Sequence, residues 1–206
     1  MFARTSTFHG DPSGISGAFN FVRDEVMPAL ADVPGWVGLS MMIDRPTGEC
    51  ITTTSWNDVD AMRASSDRLT KFRDRVGGIL NAPPAVQEWQ VAVMRRADPA
   101  HTDRWCRVTW LKAADGNLDR GVEIYRTGLL PRIEQLPGFC SASLMVDRAR
   151  GRVCSTASFK TLESLQLSRE EALMIREAGI READVDIMDA AEYELAIAHL
   201  RVPELA

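Results

Sequence analysis

The chain switches between two hydrophobic periods, and each switch occurs twice. Residues 2–9 and 105–112 have strand composition, Trp105 to Leu111 most strongly. Turn-rich stretches follow at Gly10-Asp11-Pro12-Ser13-Gly14 and Ala114-Asp115-Gly116-Asn117. Apolar positions then take helical spacing: Ile15, Phe19, Val22, Val26 and Leu30, and later Leu118, Val122, Tyr125, Leu129 and Ile133. Asn117 reads as an N-cap. Pro28 and Pro131 fall late in these helices, where each removes a backbone bond and bends the last turn. Pro34-Gly35 and Pro137-Gly138 end the helices and open hairpins, predicted as 36–44 with 49–56 and 139–147 with 152–159.

Period-two alternation then assigns faces. Val37, Leu39, Met41 and Ile43 belong beneath the helices. Trp36, Gly38, Ser40 and Met42 form the other face, with Ile51, Thr53 and Ser55 opposite. Phe139, Ser141, Ser143, Met145, Cys154, Thr156 and Ser158 repeat that mixed face. A second helical segment starts near Asp58, with Val59, Met62, Leu69, Phe72, Val76 and Leu80 in register. Its counterpart carries Ser168-Arg169-Glu170-Glu171, the form of a capping box, which predicts a short turn before the main helix. Ser65 holds the equivalent place. The last strands are predicted at 86–94 and 191–200, so the order is β-α-β-β-α-β, twice.

Sliding the chain by 103 residues makes the duplication explicit. Between 28–56 and 131–159, ten of 29 pairs are identical, among them Pro34-Gly35/Pro137-Gly138, Asp44-Arg45/Asp147-Arg148 and Thr53/Thr156. Arg4 falls on Arg107, and one inserted residue later Trp89 meets Tyr193. The expected organisation is a first repeat over 1–96, a linker over 97–103 and a second repeat over 104–206.

Composition excludes more than it names. With 45% hydrophobic and 26% charged residues, the chain is neither disordered nor collagen-like. The 24 basic and 29 acidic residues give −5 without a basic stripe, so no footprint for nucleic acid is present. The start lacks the apolar core of a signal peptide, and no run is long enough to span a bilayer. Cys50, Cys106, Cys140 and Cys154 lack CxxC spacing and read as reduced, buried thiols of a cytoplasmic protein. No clustered metal ligands, HExxH or phosphate-binding glycine pattern is present, so no metal or cofactor is expected.

An antiparallel four-stranded sheet with helices on one side leaves its other face uncovered. Here that face is too apolar to be left wet, and two copies can cover one another to close a barrel-like core. Val33-Pro34-Gly35-Trp36, the hairpin, Thr53-Thr54-Ser55-Trp56 and the helix with Met62, Ser65 and Phe72 resemble the antibiotic biosynthesis monooxygenase-like domain of the dimeric α+β barrel superfamily. The resemblance covers nearly the whole chain as a tandem. It implies an α+β fold of two ferredoxin-like repeats and, as activity, oxygenation of a phenol-like substrate without metal or flavin. It also implies a pseudo-dimer that suffices as a monomer, with higher homo-oligomers left open. The haem-degrading branch is expected to supply an Asn on the first strand, a Trp at the strand–helix junction and a His on the next helix; only the Trp is present.

Candidate residues follow on those positions, each beside a structural reading. Trp56 suits a pocket wall or a core staple. Asn57 suits a substrate hydrogen bond or a helix cap. His9 could serve as a base near neutral pH or stand solvated at a strand end; His101 and His199 have no visible partner. Arg4 and Arg107 suit an anion anchor or a rim ion pair. The expected ligand wall is the mixed face (Trp36, Ser40, Met42, Thr53, Ser55, Phe139, Ser143, Met145, Thr156 and Ser158) or the cleft between sheet and helices. Two functions stand side by side: a small-molecule oxygenase, and a non-catalytic ligand-binding or stress-associated barrel.

Overall fold

The computed structural model describes residues 1–98, 104–114 and 117–200. Positions 99–103 of the expected linker, with His101, lie outside the described residues, as do Asp115, Gly116 and 201–206. The elements are β1 (Phe2–His9), α1 (Ile15–Phe21), a π-turn (Val22–Val26), α2 (Met27–Leu30), β2 (Trp36–Asp44), β3 (Glu49–Trp56), α3 (Val59–Ala64), α4 (Ser66–Leu80) and β4 (Ala85–Arg96). The order repeats as β5 (Arg104–Ala113), α5 (Leu118–Ile124), a π-turn (Tyr125–Leu129), α6 (Leu130–Ile133), β6 (Phe139–Asp147), β7 (Arg152–Phe159), α7 (Leu162–Leu167), α8 (Arg169–Ala183) and β8 (Val185–Leu200). All pairings described are antiparallel, and the strand order β1-β3-β2-β8-β5-β7-β6-β4 is that of a closed barrel.

Two compact units share the long strands. One holds Met1–Trp89 and the end of β8 from Glu194; the other holds β4 from Gln90, then β5 and all that follows to Tyr193. In the first unit β3 lies between β1 and β2, and β2 takes the end of β8 as its other neighbour. The second unit repeats this with β7 between β5 and β6, and β6 takes the end of β4. The first core packs Leu39, Met41 and Ile43 against Ile15, Val22, Leu30, Leu69 and Leu80. These three strand residues belong to the helix-facing set the alternation predicts, whereas Val37, its fourth member, is not part of this core.

The helix bend before each proline has a specific form. Met27 N–H bonds the Val22 carbonyl and Leu130 N–H bonds that of Tyr125, five residues back. Pro28 and Pro131 lack the donor a tight turn needs, and the widened turn makes room for the ring. Gly35 (φ +78) and Gly138 (φ +67) then take the left-handed conformation that glycine alone adopts without strain. A Cβ at Gly35 would also meet Ala61 Cβ at 2.5 Å.

Several local expectations are corrected. Asp58, one residue after Asn57, caps α3 by accepting from Ala61 N–H at 2.8 Å, and Thr161 does the same for α7. The predicted capping box does not form. Ser168 Oγ donates back to the Leu165 carbonyl, and where a short turn is predicted before the main helix the chain forms the six-residue α7. Asn117 stands at the N-cap of α5 without a side-chain cap bond, and its amide donates to Asp184 at 3.4 Å.

The largest correction concerns faces. The ladder shifts register after Trp36 and after Phe139, pairing Trp36 with Trp56 and Phe139 with Phe159. One extra residue in each strand, Val37 or Cys140, flips what precedes it. Trp36 and Phe139 therefore pack with the helix-side cores, away from the mixed face that strict alternation assigns them. Finally, β8 begins at Val185, six residues before its predicted start. The first repeat has Pro83-Pro84 at this place, which cannot donate ladder bonds, whereas the second has Asp186-Ile187-Met188.

Candidate functional site

The second unit contains a half-open cavity of about 530 Å³ between its sheet and its helices, within the size range of small-molecule sites. Its sheet wall is Thr109 and Leu111 from β5 with Val153, Ser155, Ala157 and Phe159 from β7. The opposite wall comes from Val122, Tyr125 and Leu129 around the π-turn and from Ile175, Gly179 and Ala183 on α8. Most of this lining is apolar. Ser155 Oγ donates to the Tyr125 phenol oxygen at 3.3 Å. Burial pushes the Tyr125 pKa up to about 12, so the phenol keeps its proton at neutral pH.

The homologous space of the first unit holds only about 30 Å³, room for about one water. The 103-residue register explains the difference side chain by side chain. Phe8, Phe19, Leu69, Phe72, Val76 and Leu80 in the first repeat become Leu111, Val122, Ala172, Ile175, Gly179 and Ala183 in the second. Each change removes volume, while Val22 to Tyr125 adds a polar tip. The space is thus filled in one repeat and hollow in the other.

At one end of the cavity lies a charged network. Arg107 donates from Nε and Nη2 to Glu192 Oε1 at 3.1 and 2.9 Å, and from Nη1 to Ser168 Oγ at 3.1 Å. Its guanidinium also lies 5.6 Å from the Phe159 ring centre. Arg169 donates to both oxygens of Glu192, at 3.2 and 2.5 Å. Burial alone would raise the Glu192 carboxyl, but hydrogen bonds from Arg169 and Arg107 outweigh it and hold the carboxyl below its ordinary value. The first repeat has the same core of the network, with Arg4 on Glu88 at 2.7 and 3.2 Å and on Ser65 at 3.5 Å.

The Glu192 network predicts a pH dependence. The unfolded carboxyl takes up its proton near 4.5 while the folded one stays ionised to lower pH. Stability is therefore present above that value and lost as pH falls below it. Urea midpoints measured from about pH 6 to about pH 3 are expected to fall more steeply for the wild type than for Glu192→Gln. Parallel curves would remove Glu192 as the cause.

The sequence-predicted residues fall in several places. Arg107 lines the cavity; none of the other candidates does. Arg4 is buried beside the water-sized gap of the first unit. Trp56 is fully buried and donates from Nε1 to Thr54 Oγ1 at 3.2 Å. Asn57 is exposed, its backbone N–H held by the Gly35 carbonyl. His9 stands at the end of β1 with its side chain 73% exposed, 3.9 Å from Glu49. His199 stacks on Trp36 at 5.5 Å. On the mixed face Met42, Thr53, Ser55, Met145 and Ser158 are buried, Ser40, Ser143 and Thr156 partly so, and the Ser158 hydroxyl bonds that of Ser141.

Sequence reasoning named the cleft but missed Tyr125, Ser155, Arg169, Arg176 and Glu192 as its lining. The signal was the run of size reductions between repeats. Burial also raises the thiols, with Cys50, Cys106 and Cys154 pushed up to about 12, so these cysteines are poor nucleophiles. Among the described residues no group of three or more metal-ligating side chains occurs, and no helix is long and apolar enough to cross a membrane.

Comparison with known proteins places the chain. No family model matches it. It is 43% identical over 206 residues to the uncharacterised protein Rv2558 of Mycobacterium tuberculosis, covering 100% of this chain and 87% of that one. It is 40% identical over 205 residues to Rv2557 of the same organism, covering 100% and 92%. Among solved structures, an anthrone oxidase-like protein superposes with a TM-score of 0.69 at 14% identity, covering 100% of this chain and 95% of that one. A Listeria monocytogenes ferredoxin-fold protein related to antibiotic biosynthesis monooxygenases gives 0.54 at 8%, covering 94% of each. The chain has the ferredoxin-like α+β barrel fold of antibiotic biosynthesis monooxygenase-like proteins and belongs to the family of Rv2557 and Rv2558.

Proposed function

We propose that this protein binds a small, flat, largely apolar molecule in the cavity of its second repeat. The observation that carries the reading is the cavity of about 530 Å³, hollowed at the positions where the first repeat is filled. A space of that size left by chance would destabilise the fold at every missing contact, so its occurrence in one repeat alone argues for use.

Cofactor-independent oxygenation of the same ligand is the second reading, favoured by the cations at the cavity's end, which would stabilise a phenolate or enolate. In that reaction an acidic C–H loses its proton, dioxygen adds to the carbanion, and loss of water from the hydroperoxide leaves a ketone. Neither Tyr125, which keeps its proton, nor Glu192, bound by two arginines, is poised as a base. The rate would therefore follow the ionisation of the substrate itself.

Titration of the full chain with naphthyl ligands tests binding, and oxygen uptake with anthrone tests catalysis. Saturable binding with uptake rising through the substrate's own ionisation is expected if both readings hold. Binding without uptake leaves the non-catalytic binder. No binding of any naphthyl ligand sinks the proposal, and uptake lost in His9→Ala would move the chemistry to the first repeat.

A further inference from the structure

We propose that the ligand of this cavity carries an oxyanion, a carboxylate or phenolate, and that Arg176 selects it; the inference rests on the binding reading above. Arg176 projects from α8 into the lining. Its Nε is buried and has no hydrogen-bond partner among the described residues. Buried donors of this kind are nearly always satisfied, and a guanidinium cannot shed its charge to relieve the cost.

The first repeat shows what is missing. Arg73 is the counterpart of Arg176, and its Nη2 donates to Thr70 Oγ1 at 2.7 Å. In the second repeat Leu173 stands where Thr70 would be, so that acceptor is gone while the arginine remains. Loss of the partner coincides with the opening of the cavity.

Charge points the same way. The lining contains three cations, Arg107, Arg169 and Arg176, and one anion, Glu192. Glu192 is engaged by Arg107 and Arg169 together. Among the described residues Arg176 is the lining cation without a carboxylate, and its planar fork suits a two-oxygen acceptor. A ligand that lays its rings against Phe159, Ile175 and Val122 and turns an oxyanion toward Arg176 would satisfy both walls.

The test compares 2-naphthoate, 2-naphthol and uncharged 2-naphthamide on the full chain by calorimetric titration. Wild type is expected to bind naphthoate about tenfold more tightly than naphthamide, and Arg176→Met to bring the two within about twofold by weakening the acid alone. If the natural group is a phenolate, naphthol affinity rises as the pH passes the ionisation of naphthol, and Arg176→Met flattens that rise. Equal binding of all three by wild type overturns the oxyanion and leaves the binding reading intact. Retention of the naphthoate preference in Arg176→Met overturns the role of Arg176. Failure of every naphthyl ligand to bind overturns the binding reading and this inference with it.

Discussion

Replacing Trp56 by alanine is expected to cost the fold about 3–5 kcal/mol, read as a lower urea midpoint without a change in slope. The indole is wholly excluded from water in the first core, among Leu39, Met62 and Leu69. Truncation removes those contacts and also leaves Thr54 Oγ1 without the indole N–H that now bonds it at 3.2 Å. Against a usual margin of about 5–15 kcal/mol, such a loss would leave the protein close to unfolding. Trp56→Phe is expected to cost far less, because Phe159 fills the homologous place in the second repeat. A midpoint for Trp56→Ala within error of the wild type would show that the core is not as tightly filled as its burial indicates.

Filling the cavity should have the opposite effect on stability and a larger one on binding. Ala172→Leu with Ile175→Phe restores the residues that the first repeat carries as Leu69 and Phe72. The pair is expected to weaken naphthyl binding by about 100-fold or more, since the rings would compete with side chains for one space. Burial of the added methylenes and ring should raise the melting temperature by several degrees, as cavity-filling substitutions commonly do. Gly179 is best left alone, because a Cβ there would meet Leu129 Cδ1 at 2.5 Å. Undiminished binding in the double variant would place the ligand outside this cavity.

The fold was legible because its signals are local and written twice. The Pro-Gly steps, the hairpin turns and the apolar spacing of the first helices each specify an element, and the 103-residue register confirms one copy against the other. Errors arose where one residue breaks a period. The bulges at Val37 and Cys140 reverse the face of Trp36 and Phe139, and pattern reading carries no signal for an extra residue within an apolar run. Asn57 and Asp58 are both good caps, and the choice between them depends on where β3 ends.

The candidate site was harder for a different reason. A cavity is made by what is small, whereas sequence signals of chemistry come from side chains that are reactive. Gly179, Ala172 and Ala183 carry no functional group, yet they open the space that gives Tyr125, Ser155 and Arg176 something to face. Arg107 was legible because it repeats Arg4; its partner Glu192 falls on Glu88 once the inserted residue is counted, but an acidic side chain in a strand carries no local signal of an ion pair across the sheet.

The pairing of β2 with β8 also sets an order of events during synthesis. Ile43 pairs with Glu194, and Gly38 with Leu200, so β2 finds its outer neighbour only in β8. Every other strand of that unit's sheet has been made more than a hundred residues earlier. A nascent chain emerging from the ribosome would therefore carry β2 as an unpaired edge until β8 has been made, open to pairing with other chains. Premature termination anywhere before β8 would leave that edge exposed for good.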